Sequence, residues 1–325
     1  MEQGAAAAAA VLGAAVAEQV GRVIVGKAGQ TRLLTAALLA GGHVLVDDVP
    51  GVAKTLLVRS FAASLGLSFS RLQCTADLLP SDVTGSTVYD QRTGDFSFRP
   101  GPVFANVVLA DEVNRATPRT QSAFLEAMEE RGVTVDGQTH RLPDPFLVLA
   151  TQNPVELKGT FPLPEAQLDR FLLRLRMGYP SADEERAILT RFRSGDPLAE
   201  VRAVPEAAEL QAARAAVRQV YAAEDVEAYV VALARATRET PLLRLGASPR
   251  ASLALLHTAQ AWAALDGRDF VTPDDVQKLA VPVLAHRVVL SREAAVERRE
   301  ADDVVRDVAG RVPVPAEAAA AREPG

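Results

Sequence analysis

Cysteine is almost absent from this 325-residue chain, and the single thiol, Cys74, excludes an intramolecular disulfide. No Cys/His spacing resembles a zinc site either. A basic excess is also missing: 35 Lys and Arg against 41 Asp and Glu leave a formal charge of -6 and a pI near 5.4. That balance argues against a general nucleic-acid binder, though it leaves room for a local basic pore. A secretory signature is not found, since the apolar, Ala-rich segment from Gly4 to Ala17 follows Glu2 without a basic n-region. The segment is too short to span a bilayer and reads as a helix, frayed at its start. Cytoplasmic residence is the expectation. What the chain does have is 48% hydrophobic residues, enough at this length for a full core and about two domains.

The most informative stretch is Val44-Leu45-Val46-Asp47-Asp48-Val49-Pro50-Gly51-Val52-Ala53-Lys54-Thr55, an apolar strand running into a tight loop that opens an apolar helix. It reads as a phosphate-binding loop. Backbone N–H groups and the helix N-terminus would face phosphates, Lys54 would neutralise the β/γ oxygens and Thr55 would hold magnesium. The pattern G-x-x-x-x-G-K-[ST] asks for Gly where Asp48 and Ala53 stand, so only Gly51, Lys54 and Thr55 supply the expected chemistry. Taken alone, the segment is equally a plain strand, turn and helix. The methyl of Ala53 could tighten the loop or slow turnover, although an α-like backbone would accept it.

Strand and helix then alternate. A helix from Gln30 to Ala40, a strand from His43 to Asp47, a helix through Leu56, Phe61 and Leu65, and a strand from Ser68 to Gln73 point to a parallel α/β sheet. Residues 77 to 104 interrupt that rhythm with a hairpin, Thr87-Val88-Tyr89 against Phe96-Ser97-Phe98. Asn106 to Ala110 is an apolar run suited to a strand buried on both faces. After a helix from Thr117 to Glu130, Asp136-Gly137 marks a second hairpin, and Phe146 to Ala150 and Phe171 to Leu175 are further strands. From Pro180 onward the chain reads as helices alone, over 182–193, 206–220, 224–239, 249–264 and 273–287, with no strand expected. The division is an N-terminal helix at 1–22, a core at 23–179, a helical domain at 180–310 and a disordered tail at 311–325.

Asp111 and Glu112 close the buried run Val107-Val108-Leu109-Ala110, where two acids are costly unless used. In nucleotide hydrolysis Asp111 would join the magnesium shell and Glu112 would orient and deprotonate the attacking water. Asn153 ends the next buried strand and could sense a γ-phosphate, or be a plain turn residue before Pro154. Arg170 precedes a strand at the end of a short helix, where it could reach a neighbouring subunit's phosphates or pair locally with Asp169. Arg250 stands in the first turn of a helix capped by Ser248 and Pro249, a place for a phosphate sensor or a surface arginine. Cys74, Trp262, His257 and His286 read as packing or surface residues.

Six segments in order carry a resemblance: Val25-Gly26-Lys27, Asp47 to Thr55, Asp111-Glu112-Val113-Asn114-Arg115-Ala116, Thr151-Gln152-Asn153-Pro154, Leu163 to Phe171, and Gly246-Ala247-Ser248-Pro249-Arg250-Ala251. Together they resemble the MoxR-type AAA+ ATPases over most of residues 20 to 290. The resemblance implies an α/β fold, an AAA+ P-loop core with a parallel sheet and two hairpin insertions followed by an all-α lid domain. It further implies a homo-hexameric ring with ATP and Mg2+ between subunits. Val49 to Leu56 (Val49, Pro50, Gly51, Val52, Ala53, Lys54, Thr55, Leu56) would form the nucleotide loop, with Lys54 and Thr55 as Walker A. Asp111 and Glu112 would be Walker B, with Thr55 and Asp111 on the metal. Asn153 would be sensor 1, Arg170 the arginine finger, Arg250 sensor 2, and Val25 and Gly26 adenine contacts. Arg115, Arg119 and Arg174 are alternatives for the contact between subunits. The hairpins at 85–100 and 132–142 match the two insertions of the clade to which the family belongs, elements that often line the pore or face a client.

The implied activity is ATP hydrolysis by a chaperone-like remodeller of protein complexes, with metal-cofactor insertion in some members and a von Willebrand factor A domain protein as partner. Two alternatives remain: a nucleic-acid motor of the same clade, hinted at only by Arg131, His140 and Arg141 and disfavoured by the acidic chain, and a nucleotide-gated scaffold with little hydrolysis.

Overall fold

The computed structural model describes residues 5–47, 51–92, 94–152, 159–193, 195–204 and 207–315. The first part runs α1 (Ala5–Val23), α2 (Ala28–Ala40), β1 (Val44–Asp47), α3 (Lys54–Ser64), β2 (Phe69–Gln73), α4 (Pro80–Thr84), β3 (Gly85–Asp90) and β4 (Asp95–Pro100). It continues with β5 (Val107–Asp111), α5 (Pro118–Glu130), β6 (Gly132–Val135), β7 (Gln138–Arg141), β8 (Leu147–Gln152), α6 (Glu165–Leu168) and β9 (Leu173–Leu175). The helical part holds α7 (Ala182–Phe192), α8 (Ala207–Val217), α9 (Glu224–Glu239), β10 (Leu243–Leu245), α10 (Pro249–Leu265), α11 (Pro273–Leu284), β11 (Val289–Leu290), α12 (Arg292–Val296) and α13 (Ala301–Arg311).

Five strands make one parallel sheet in the order β2-β5-β8-β1-β9. Val107 to Ala110 of β5, Leu147 to Ala150 of β8 and Val44 to Val46 of β1 are all buried, which is why these three strands read as unbroken apolar runs. At the edge, β2 alternates instead, with Leu72 buried and Arg71 and Gln73 exposed. His43 anchors the start of β1: Val148 N–H donates to its Nδ1 at 3.0 Å, so Nε2 carries the proton and donates to the Met128 carbonyl at 3.0 Å. Burial holds this imidazole neutral, with its pKa lowered to about 4.

Both hairpins form. Asp136 (φ 50°) and Gly137 (φ 79°) turn β6 into β7, the paired positive φ values that a two-residue hairpin of type I′ requires. The β3–β4 hairpin fills the expected 85–100, pairing Gly85 with Pro100 at its base. Phe98 stacks on His140 with ring centroids 3.9 Å apart, so the two insertions touch.

Three expectations change. The helical part contains a ribbon, β10 against β11, with Leu243 opposite Leu290; strands of three and two residues are too short to show a period. Two helices beyond the last expected one, α12 and α13, complete the helical part, which ends at Arg311, one residue past the expected 310; residues 316–325, where the tail was expected, lie outside the described residues. The N-terminal helix is longer than the Gly4–Ala17 segment, and its Ala6–Val23 window is long and apolar enough, by length and composition, to cross a bilayer. In this fold its stripe Ala9, Leu12, Val16, Val20 and Val23 is buried, packed on α8, α10, α3 and α2. That spacing is the helical period of a core-facing stripe.

Candidate active site

The C-terminal ends of β1, β5 and β8 open on a cleft of about 520 Å³. Gly51 and Ala53 to Leu56 line it from the loop and α3, Arg71 and Gln73 from β2, Asp111 and Glu112 from β5, and Thr151 and Gln152 from β8. Val52 is buried in the core and does not line it. Val49, Pro50 and Asn153 lie outside the described residues. Gly51 has φ 84°, as a turn against the helix N-terminus requires. Ala53 does not have the α-like backbone expected of it. It sits left-handed, at φ 61° and ψ 27°, as the N-cap of α3. An L-residue there costs about 1–2 kcal/mol that glycine would not.

The two acids are tied to the surrounding strands. Asp111 Oδ1 accepts from Thr151 Oγ1 at 2.7 Å, and Oδ2 accepts from Arg71 Nη2 at 2.7 Å and Nε at 3.2 Å. Glu112 leaves the strand in a left-handed turn (φ 57°, ψ 49°), its N–H donating to Thr151 Oγ1 at 2.9 Å. Its carboxylate pairs with Arg115 at 3.1 Å and accepts from Gln73 Nε2 at 3.2 Å. The residues present fit a magnesium–nucleotide. Lys54 and the N-terminus of the 11-residue α3 suit phosphate. Thr55 and Asp111 offer oxygen ligands in the small number that magnesium uses beside a nucleotide.

At the other end of the sheet, where β1 and β9 begin, a second pocket of about 250 Å³ gathers Glu129, Arg131, Asp169, Arg170, Arg250 and Arg287. Arg170 does not pair with Asp169. Its Nη1 meets Glu129 Oε2 at 3.0 Å and donates to the Leu125 carbonyl at 3.2 Å, while Arg250 Nη2 reaches the other oxygen of Glu129 at 3.4 Å. Asp169 instead accepts from Arg287 Nε at 2.9 Å and from the capping Ser248 hydroxyl at 3.0 Å. Arg287 is buried and also donates to the carbonyls of Leu172 (3.0 Å), Phe171 and Val283. Burial lowers its pKa to about 10 against the pull of Asp169. Arg170 and Arg250 are thus brought to one pocket, away from their own loop.

Comparison with known proteins places this architecture. The profile of the ATPase family associated with various cellular activities (AAA) matches residues 43–173, and that of the AAA lid domain matches 235–308. An uncharacterized Bacillus subtilis protein, YeaC, is 51% identical over 96% of this chain and 97% of its own. Chaperone MoxR1 of Mycobacterium tuberculosis is 43% identical over 91% of this chain and 81% of its own. The chain is a member of the MoxR family of AAA+ ATPases. A crystal structure from Cytophaga hutchinsonii described as a candidate ATPase superposes on the MoxR fold of this chain with a TM-score of 0.88. It shares 36% identity and covers 96% of this chain and 97% of that one.

Other residues singled out in the MoxR pattern are dispersed. Val25 and Gly26 do not line the loop cleft. Gly26 faces the start of α7, where a Cβ on it (φ 73°) would fall 1.7 Å from Glu184 Oε1, so α7 closes on a position that only glycine leaves open. Arg115 is committed to Glu112 of its own chain, and Arg119 is exposed. Arg174 is half-buried and pairs within its own chain, with Asp47 and with Asp302 of α13. Burial and the nearby Asp111 and Glu112 push the Cys74 thiol up to about 12. Trp262 takes the Arg32 guanidinium 4.0 Å above its ring, His257 is exposed and His286 is buried. Arg71, Gln73, Glu129 and Arg287 went unremarked in the sequence. Only the pair of long polar side chains at i and i+2 of one strand gave a signal, for Arg71 and Gln73.

Proposed function

We propose that this MoxR-family chain binds Mg2+–ATP in the loop cleft and hydrolyses it, and that turnover drives a chaperone-like remodelling of protein complexes. The convergence of Lys54, Thr55, Asp111 and Glu112 on one cleft carries the reading. Lys54 and the loop N–H groups of residues 49 to 56, except Pro50, which has none, bind the phosphates, Thr55 and Asp111 hold the cation, and Val25 and Gly26 take the adenine. Bound magnesium supplies charge neutralisation across the β and γ phosphates. Glu112 accepts the proton of the attacking water, whose oxygen displaces ADP from the γ-phosphorus, and Asn153 senses that phosphate. Arg170, as arginine finger, and Arg250, as sensor 2, serve the nucleotide of a neighbouring subunit, because both stand at the opposite end of the sheet from their own loop. The assembly is a homo-hexamer in the cytoplasm. Its core spans 23–179 and its lid 180–310, and the hairpins transmit force to a client with a von Willebrand factor A domain protein as partner. Metal-cofactor insertion is one form such remodelling takes. The relative named Chaperone MoxR1 supports the remodelling role.

Glu112→Gln tests it. Nucleotide binding should persist while phosphate release by the assembled protein falls about 10²–10⁴-fold, the usual contribution of a general base. Unchanged turnover would remove Glu112 as the base.

A further inference from the structure

Arg71 has no part in the roles assigned above, yet it is the residue that holds the metal-binding acid. Its guanidinium approaches Asp111 Oδ2 from two nitrogens, Nη2 at 2.7 Å and Nε at 3.2 Å, while Oδ1 is taken by the Thr151 hydroxyl at 2.7 Å. Both oxygens of the carboxylate are therefore engaged by protein donors. The same Nη2 donates to Gln73 Oε1 at 2.9 Å, which turns the Gln73 amide so that Nε2 donates to Glu112 Oε2 at 3.2 Å. An unbroken chain of contacts thus runs from Asp111 through Arg71 and Gln73 to Glu112.

We propose that Arg71 is a positioning residue that occupies Asp111 in place of the divalent cation, is displaced when Mg2+–nucleotide binds, and through Gln73 ties the setting of Glu112 to that exchange. The inference rests on the cleft being a nucleotide site. A dication on Asp111 Oδ2 and a guanidinium on the same oxygen are like charges competing for one acceptor, so binding of either weakens the other. The fold makes the exchange cheap for Arg71. It lies on the edge strand β2, paired in register across from β5, and its side chain is 48% exposed, so the guanidinium can move into water without being buried unpaired. Asp111, at 14%, cannot leave with it, which makes the arginine the mobile partner.

Competition predicts a linkage that needs no turnover to be seen. The affinity of the full chain for a fluorescent ADP is measured in excess EDTA and again in excess Mg2+, and the ratio of the two is the metal enhancement. Arg71→Gln removes the competitor, so the enhancement should rise about two- to fivefold over wild type, the scale of a half-exposed charge pair. Arg71→Lys, which keeps the charge but loses the two-nitrogen grip, should rise by less. An enhancement that is unchanged or smaller in the variants overturns the proposal, since Arg71 would then be neutral toward the cation or would assist it. If Arg71→Gln does not fold, Arg71→Lys decides in the same sense. A wild-type chain that binds the nucleotide in neither buffer sinks the nucleotide reading itself. Normal wild-type binding with unshifted variants removes only the role of Arg71.

Discussion

At the C-terminal end of the sheet the candidate groups come from the ends of adjacent strands, Asp111 and Glu112 from β5, Thr151 from β8 and the loop after β1. At the N-terminal end the pocket is put together from distant segments, with Glu129 on α5, Arg170 before β9, Arg250 on α10 and Arg287 after α11. The first end owes its geometry to the sheet alone. The second needs the helical part docked on the core, because Asp169 is held by Arg287 and Ser248, and Glu129 by Arg170 and Arg250 together. One end is complete within the core, while the other depends on how two parts of the chain meet.

The comparison breaks most sharply at Arg170. Arg170→Ala should lower the turnover of the assembled protein about 10³-fold, the lower range for an arginine finger, while nucleotide affinity of the dispersed chain stays within about twofold of wild type. Loss of affinity in the dispersed chain would mean that the two ends do not divide the work this way.

A second test concerns pH, because His43 sits beside the arginine pocket. Its folded pKa, about 4, lies below the ordinary 6.5. The neutral form is the one that folds, so its contribution is complete above pH 6.5 and is withdrawn as pH falls from 6.5 toward 4. At pH 5 that loss amounts to about 2 kcal/mol. His286, also lowered by burial, acts in the same direction. In His43→Asn, whose amide can accept from Val148 without titrating, the denaturant midpoint should fall less between pH 7 and pH 5. An identical fall in both proteins would show that other groups set the acid sensitivity.

The smallest effect is expected at the loop. Ala53→Gly relieves the left-handed backbone but loosens the unfolded chain, so the net gain should be about 0.5–1 kcal/mol in denaturant unfolding. A loss of stability would show that the methyl group is wanted where it stands.

The legibility of the two ends follows from the same contrast. The buried strands ending in Asp111 and Gln152 announce themselves as apolar runs, and the loop and the acids are contiguous motifs, so the sheet and its C-terminal end could be read in the chain. Ala53 could not, because a left-handed residue other than glycine leaves no mark in composition. Arg287 reads as one more arginine at the end of the helix expected over 273–287. Only folding reveals that it is buried against four partners from 169 to 172 and 283. The β10–β11 ribbon was invisible because two or three residues cannot establish a period. Arg250 was legible as a helix-capping neighbour, but not its meeting with Arg170 on Glu129, which depends on the docking of α10.

The burial of α1 has a consequence for how the protein is made. Its apolar stripe is synthesised before two of the helices that cover it, α8 and α10, which end at Val217 and Leu265. Until then only α2 and α3, which follow it directly, can shelter part of this 19-residue helix. The contacts that finally shelter it are among the longest-range in the fold, the kind that slow folding and leave a nascent chain in need of protection. The last surface of α1 to be covered is thus the one that α8 and α10 close.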